Sequence, residues 1–113
     1  FNSLRKTTMK LVSSGRFDDY QQEMSRRIIE EIRRALERTG APDDLARDLT
    51  YDIAFGITSL IDGVSDLSVN AENVNPVLTF STRENELEFA GGNSWMHEYV
   101  AKLIAESFSE AKQ

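Results

Sequence analysis

The chain of 113 residues is 40% hydrophobic and 28% charged, and its formal net charge at pH 7 is −6. These values are typical of one soluble globular domain and exclude a disordered chain; the lack of cysteine excludes disulfides and thiolate chemistry. An acidic chain is also a poor general binder of nucleic acid, and no apolar run approaches the roughly 18 residues of a membrane span. We therefore expect a cytoplasmic protein with neither nucleic acid nor membrane as a partner.

Charge is distributed unevenly along the sequence. Residues 1–40 carry nine basic and six acidic side chains, whereas residues 41–113 carry four basic and 13 acidic ones. The simplest interpretation is internal, with an arginine-rich helix beside an aspartate-rich helix. Recognition of a partner by either surface is the alternative.

The first 15 residues allow two structures. Ser3 could cap a short helix that ends at Gly15, with Leu4 and Leu11 among its apolar positions. The same residues could instead form a loose terminal arm. We therefore separate residues 1–15 from a single α+β domain that spans residues 16–113.

A strong helical pattern follows from Phe17 to Arg38. Acidic residues occupy its first turn, Gly40 follows its end, and five Glu/Arg pairs are spaced four residues apart. The turn to Pro42 is short, which predicts an antiparallel helical hairpin with the next helix. The expected inner stripe consists of Tyr20, Met24, Ile28, Ile32, Ala35 and Leu36.

The second helix is predicted from Pro42 to Leu67, and its apolar stripe is expected to form the centre of the core. The aspartates at positions 44, 48 and 52 share one face, where the arginines of the first helix could neutralise them. Gly56 and Gly63 lie inside the predicted helix, which suggests close approach by a neighbour. The stripe consists of Leu45, Leu49, Ile53, Ile57, Leu60, Ile61 and Val64.

The remaining residues complete an α+β fold. Residues 68–76 are predicted to form a loop, since alanine and valine replace the glycine and glutamate of a calcium loop. Residues 77–82 and 86–90 alternate as two strands of a hairpin. A last helix should begin at Asn93 or Ser94 and end near Ala111. The expected order is α-α-β-β-α, and the inner stripe of the last helix consists of Met96, Val100, Leu103, Ile104 and Phe108.

One segment, from Phe89 to Tyr99, concentrates residues that could carry chemistry. It holds the only tryptophan, the only histidine and two adjacent glycines at a predicted helix N-terminus, where backbone amides could bind an anion. More specific motifs fail, because the second glycine of a nucleophile elbow is missing and position 101 is alanine where a zinc-binding H-E-x-x-H needs histidine. The candidate ligand-binding residues are Gly91, Gly92, Asn93, Ser94, Trp95 and His97.

No phosphate-binding loop, dinucleotide motif or pair of histidines occurs, so the sequence offers no case for a cofactor, a metal or catalysis. We expect a non-catalytic interaction module that is adaptor-like, regulatory or chaperone-like. Its expected partners are a second copy of itself, in a homodimer, and possibly another protein. The alternative is a domain that binds a small molecule or an anion at residues 91–99.

Overall fold

The computed structural model describes residues 8–111 and shows an α+β fold. Within these residues the helices are α1 (Phe17–Arg38), α2 (Asp43–Ile61) and α3 (Val100–Ala111), and a 3₁₀ turn (Met96–Tyr99) leads into α3. The strands are β1 (Lys10–Val12), β2 (Ser68–Val69), β3 (Glu72–Asn73), β4 (Phe80–Arg83) and β5 (Glu86–Glu88). The predicted class and the order of two helices, a hairpin and a helix are confirmed.

A three-stranded sheet joins β1, near the start of the described residues, to the β4–β5 hairpin. β4 and β5 form the predicted antiparallel hairpin, and β1 pairs with β5 in parallel, with Leu11 opposite Leu87. The N-terminal prediction is therefore corrected for Lys10–Val12, which is neither helical nor a loose arm. The free edge of β5 determines this pairing, because its neighbours Asn85 and Phe89 also make backbone hydrogen bonds to β1. Residues 1–7 of the predicted arm or helix lie outside the described residues.

Residues 68–76 are more ordered than the predicted loop. β2 and β3 form a small antiparallel hairpin, and Asn70 and Ala71 at its turn have positive φ angles of 52° and 65°. Two consecutive residues with positive φ give the turn geometry that matches the twist of paired strands. The sequence did not predict this turn, because alanine is unusual at a position with a positive φ angle.

The second helix is shorter than predicted, since α2 ends at Ile61 and not at Leu67. Gly63 has a φ of +76° and is not a helical residue. The amide of Gly63 donates to the Leu60 carbonyl and the amide of Val64 donates to the Ser59 carbonyl, which is the hydrogen-bond pattern of a Schellman helix end. The predicted end was too late because apolar residues continue in the sequence beyond Gly63, where the helix has already ended. The last helix likewise begins later than predicted, after the 3₁₀ turn.

The three helices enclose the main core. The predicted stripe of α3 is confirmed, because each of its five residues is buried. The four stripe residues that lie on α3 itself pack with Ile29 of α1 and with Ala46 and Ala54 of α2. The buried face of α2 continues through Thr50 and Thr58, so small side chains spaced four apart allow its backbone to lie close to its neighbours.

The predicted inner stripe of α2 is largely wrong for the single chain. Its two most exposed members, Leu45 and Val64, are 49% and 61% exposed. On α1 the buried residues are likewise offset from the predicted stripe, to Phe17, Gln21, Ser25 and Ile29. The stripe residues exposed on α2 and just after it are Leu45, Ile53, Ile57, Leu60 and Val64.

The arginines of α1 do not neutralise α2. Arg27 pairs with Glu31, Arg33 with Glu37, and Arg34 with Glu30 and Glu31. Among residues 8–111, no ion pair joins the two helices, so the expectation of an arginine-rich helix matched to an aspartate-rich one is wrong. Glutamates one turn away on the same helix are nearer partners.

Candidate functional site

The carboxylate of Asp62, immediately after α2, organises the segment that the sequence marks for chemistry. Its side chain is fully buried, and it accepts hydrogen bonds from the Ser94 hydroxyl (2.6 Å) and the His97 backbone amide (2.7 Å). The ring Nδ1 of His97 lies 2.5 Å from the same carboxylate. A carboxylate partner favours a proton on Nδ1.

This arrangement contains the residue types of a catalytic triad but not their order. In a triad the serine hydroxyl bonds to the histidine and the histidine bonds to the acid. Here Ser94 and His97 both bond to Asp62, so the serine hydroxyl is directed at the acid and not at a base. The geometry supports a structural role, in which Asp62 holds Ser94 and His97 in place; we call these three residues the Asp62 clamp. The arrangement contains no activated nucleophile.

Asn93 extends the clamp to the end of α2 and to the loop before β4. Its side-chain amide donates to the Asp62 carbonyl (3.0 Å), to the Asn75 side chain (2.7 Å) and to the Pro76 carbonyl (3.1 Å). A Cβ atom on Gly63 would overlap the side chains of Asn75 and Asn93. The predicted close approach is therefore found at Gly63. It is not found at Gly56, where no atom of residues 8–111 outside the neighbouring helix backbone lies within 4 Å of an added Cβ.

Trp95 lies on the other side of the segment, against α1. Its backbone amide donates to Gln21 Oε1 (2.9 Å), and its ring lies 5.9 Å from the ring of Phe17 between centroids. Phe17 in turn contacts Phe80 of β4 edge to face. Trp95 therefore links the helices to the hairpin through an aromatic cluster.

A hydrogen-bonded pair, Asp18 and Tyr99, supports the position of Trp95. The Tyr99 hydroxyl donates to Asp18, which also accepts from the side chains of Gln21 and Gln22. The bond from Tyr99 is the main cause that lowers the pKa of Asp18, with smaller contributions from the glutamines, and burial opposes it. The same bond raises the pKa of Tyr99, so the two groups hold each other in the ionised and neutral forms respectively.

The predicted site residues thus divide into three groups. Asn93, Ser94 and His97 converge on Asp62, Trp95 faces α1, and the two glycines are exposed. The amides of Trp95 and His97, which an anion would need, already have partners within the chain. Ligand binding at residues 91–99 stays a prediction.

Sequence reasoning missed the role of Asp62, which the predicted bounds Pro42–Leu67 placed inside the second helix. An Asp-Gly pair at the end of an apolar run is a turn signal and could have indicated that the helix ends there.

The second candidate site is the α1–α2 face, an apolar surface made of Met24, Ile28 and Ile32 of α1 with Ile53, Ile57 and Leu60 of α2. A shallow groove of about 360 Å³ lies between the helices, and Ile57 meets the three α1 residues there. Ile53 and Leu60 are four and three residues from Ile57, so they share its side of α2. Arg27 and Glu31, 3.2 Å apart, form the polar border of the groove.

Comparisons with known proteins leave the geometry as the sole guide to function, because no protein-family model, curated protein or solved structure matches the chain. Among the described helices, none is long and apolar enough to cross a membrane. Over residues 8–111, no three His, Asp or Glu side chains converge in a way that could hold a metal ion.

Proposed function

We propose that the protein is a small acidic interaction module that works as a homodimer and has no catalytic role, in the manner of an adaptor, a regulator or a chaperone. The observation that supports this proposal is the α1–α2 face. Its α2 residues, Ile53, Ile57 and Leu60, are 40–43% exposed although they follow the period of a buried helix face.

Covering this face would release appreciable free energy. Complete burial of a side chain of this size contributes about 1.5–3 kcal/mol. Each of the six residues is only partly exposed in the single chain, so a partner would gain roughly 0.5–1 kcal/mol per residue, or about 4 kcal/mol per protomer. A two-fold interface contains the face twice, which doubles the gain before the cost of association is subtracted.

The border of the groove favours a second copy as the partner. A two-fold interface brings one patch against itself, so the patch must be complementary to its own charges. Arg27 and Glu31 carry opposite charges, so the net charge of this pair at the border is zero. Two copies can therefore meet here without the repulsion that a net charge of −6 would produce at an acidic surface.

Light scattering coupled to gel filtration tests the proposal at about 100 μM protein. The wild-type chain should elute with twice the 12.8 kDa mass of one chain. Ile57→Glu should dissociate the dimer, because it places a charge at the centre of the face, and by symmetry it does so twice. We expect the dissociation constant to rise at least about 100-fold, which corresponds to about 2.7 kcal/mol.

Val69→Glu is the matched control, since Val69 is 52% exposed but lies on β2, away from the face. It should leave the dimer intact. A monomeric wild-type chain at 100 μM, or equal effects of Ile57→Glu and Val69→Glu, would refute the proposed interface. The proposed location is the cytoplasm, with which a chain without cysteine is compatible.

A further inference from the structure

A small cavity lies beside Trp95, on the opposite side of the segment from Asp62. It has a volume of about 220 Å³ and lies among the turn from β1 to α1, the end of β5 and Trp95. Its lining includes three aromatic residues, Phe17, Phe89 and Trp95, and two acidic residues, Asp18 and Glu88. This combination is distinct from the α1–α2 face and plays no part in the proposed dimer.

The aromatic rings suit a cation. The face of an aromatic ring is negative, and a cation within about 6 Å of its centre is attracted to it. Phe17 and Trp95 are already in contact with each other, and Phe89 adds a third ring to the lining. Cages of this kind bind quaternary ammonium groups, whose charge is spread over apolar methyl groups.

The two carboxylates supply fixed negative charge. Glu88 accepts hydrogen bonds from the Ser14 hydroxyl (2.6 Å) and the Ser14 amide (2.9 Å), and these bonds, with Arg16 nearby, lower its pKa despite its burial. Asp18 is held by Tyr99 and also has a lowered pKa. Both groups are therefore ionised at neutral pH, and neither forms an ion pair within 4 Å among residues 8–111.

Competition from the chain's own cations is limited. Arg16 is the cation that acts on Glu88, but its side chain is exposed and its Nε donates to the Ser14 hydroxyl (3.2 Å). Over residues 8–111, no lysine, arginine or histidine lines the cavity. Within this part of the chain, the negative charge of Asp18 and Glu88 is thus only partly balanced.

We propose that this cavity binds an alkylammonium group, carried either by a small metabolite or by a methylated lysine side chain. The cavity is smaller than the roughly 300 Å³ at which pockets begin to hold whole drug-sized ligands. It therefore accommodates the methylated head of a ligand while the rest lies outside. A neutral group of the same shape would gain the apolar contacts but not the attraction to the rings and carboxylates.

Trp95 provides the assay, because it is the only tryptophan in the chain and lies in the cavity wall. Choline chloride should change its fluorescence saturably, and 3,3-dimethyl-1-butanol, the neutral isostere, should bind at least about tenfold more weakly. Sodium chloride at equal ionic strength should have no saturable effect. Nα-acetyl-trimethyllysine methylamide distinguishes the two sources of the group, since tighter binding than choline supports a lysine side chain and equal or weaker binding supports a metabolite.

Variants distinguish binding of choline in the cavity from nonspecific attraction of a cation to an acidic chain. Phe89→Leu and Glu88→Gln should each weaken choline binding about five- to tenfold, whereas Glu84→Gln, which removes an exposed acid in the β4–β5 turn, should not. Arg16 does not line the cavity, and Arg16→Ala should tighten choline binding two- to threefold because it removes the cation that acts on Glu88, so it tests the proposal even if a wall variant folds poorly. Equal binding of the neutral isostere, the absence of saturation with choline up to 50 mM, or insensitivity to both Phe89→Leu and Arg16→Ala would overturn the proposal.

Discussion

Asp62→Ala tests whether one buried carboxylate holds the segment before α3 in place. The carboxylate has no exposed surface, and three groups on two residues are within hydrogen-bond distance of it: the Ser94 hydroxyl, the His97 amide and the His97 ring. Alanine removes the acceptor for all of them. The Ser94 hydroxyl would then be left buried, since that residue is only 4% exposed.

The hydrogen bonds to Asp62 determine how much the free energy of unfolding should fall in Asp62→Ala. A hydrogen bond to a charged group contributes about 1.5–3 kcal/mol to stability. Three such bonds do not add fully, because they share one acceptor and water can enter after the truncation. We therefore expect a loss of about 3–5 kcal/mol, against the total of about 5–15 kcal/mol that is typical of a domain. Ser94→Ala removes one donor only and should cost about 1–2 kcal/mol.

Urea unfolding, followed by Trp95 fluorescence and by far-ultraviolet circular dichroism, measures the effect. With a slope near 2 kcal/mol per molar urea, the midpoint of Asp62→Ala should fall by about 2 M. Asp66→Ala, which removes an exposed acid four residues later, should change stability by less than about 0.5 kcal/mol. The reasoning is wrong if Asp62→Ala costs less than 1 kcal/mol, or if its effect and that of Ser94→Ala simply add in the double variant.

Three further predictions concern single side chains and use the same unfolding assay. Gly63→Ala should destabilise by about 2–4 kcal/mol, because the residue has a φ of +76° and a methyl group there overlaps two asparagine side chains. Gly56→Ala should instead stabilise by about 1 kcal/mol, since space is open at this helical position; the same sign at both glycines would contradict the structure. Thr50→Val should raise stability by about 1 kcal/mol, because the buried hydroxyl has no hydrogen-bond partner among residues 8–111, and a loss would indicate a missed partner. Tyr99→Phe should cost about 1–2 kcal/mol at pH 7. Because the folded pKa of Asp18 is lowered, the stabilisation from its carboxylate is present above its ordinary pKa of 3.8 and is lost as pH falls through the lower folded pKa. The difference in stability between wild type and Tyr99→Phe should therefore be constant above pH 3.8 and should shrink as pH falls below it; a difference that does not shrink would rule out the carboxylate as the partner.

Local signals predicted the elements that depend on local interactions. The bounds of α1 agree with the prediction because its first-turn acids, its glycine stop and its charge pairs lie within the same stretch of chain. The β4–β5 hairpin was likewise predicted from alternation, with Asn85 at a positive φ of 68° in its turn. The inner stripe of α3 agreed residue by residue, since this helix has one apolar side only.

Elements that depend on distant partners were predicted less well. β1 is three residues long and forms because the edge of β5 is free, which no local pattern in residues 8–15 reveals. The Asp62 clamp joins residues that are 32 and 35 positions apart. In the sequence its members therefore appeared unrelated: an acid inside the predicted second helix, a start of the last helix and a candidate ligand-binding histidine. The cavity beside Trp95 combines residues from both ends of the chain for the same reason.

By itself, the sequence determined that this protein is an acidic α+β domain with two long helices in a hairpin, because periodicity, caps and turn residues act over a few neighbouring positions. Only the tertiary structure decided which side of α2 is buried. The apolar residues of that helix extend over more than one of its sides, so hydrophobicity alone cannot select the buried one. The small residues Ala46, Thr50 and Ala54 allow the closest approach of α1 and α3, and the larger Ile53 and Ile57 are left outside, where the proposed partner would cover them.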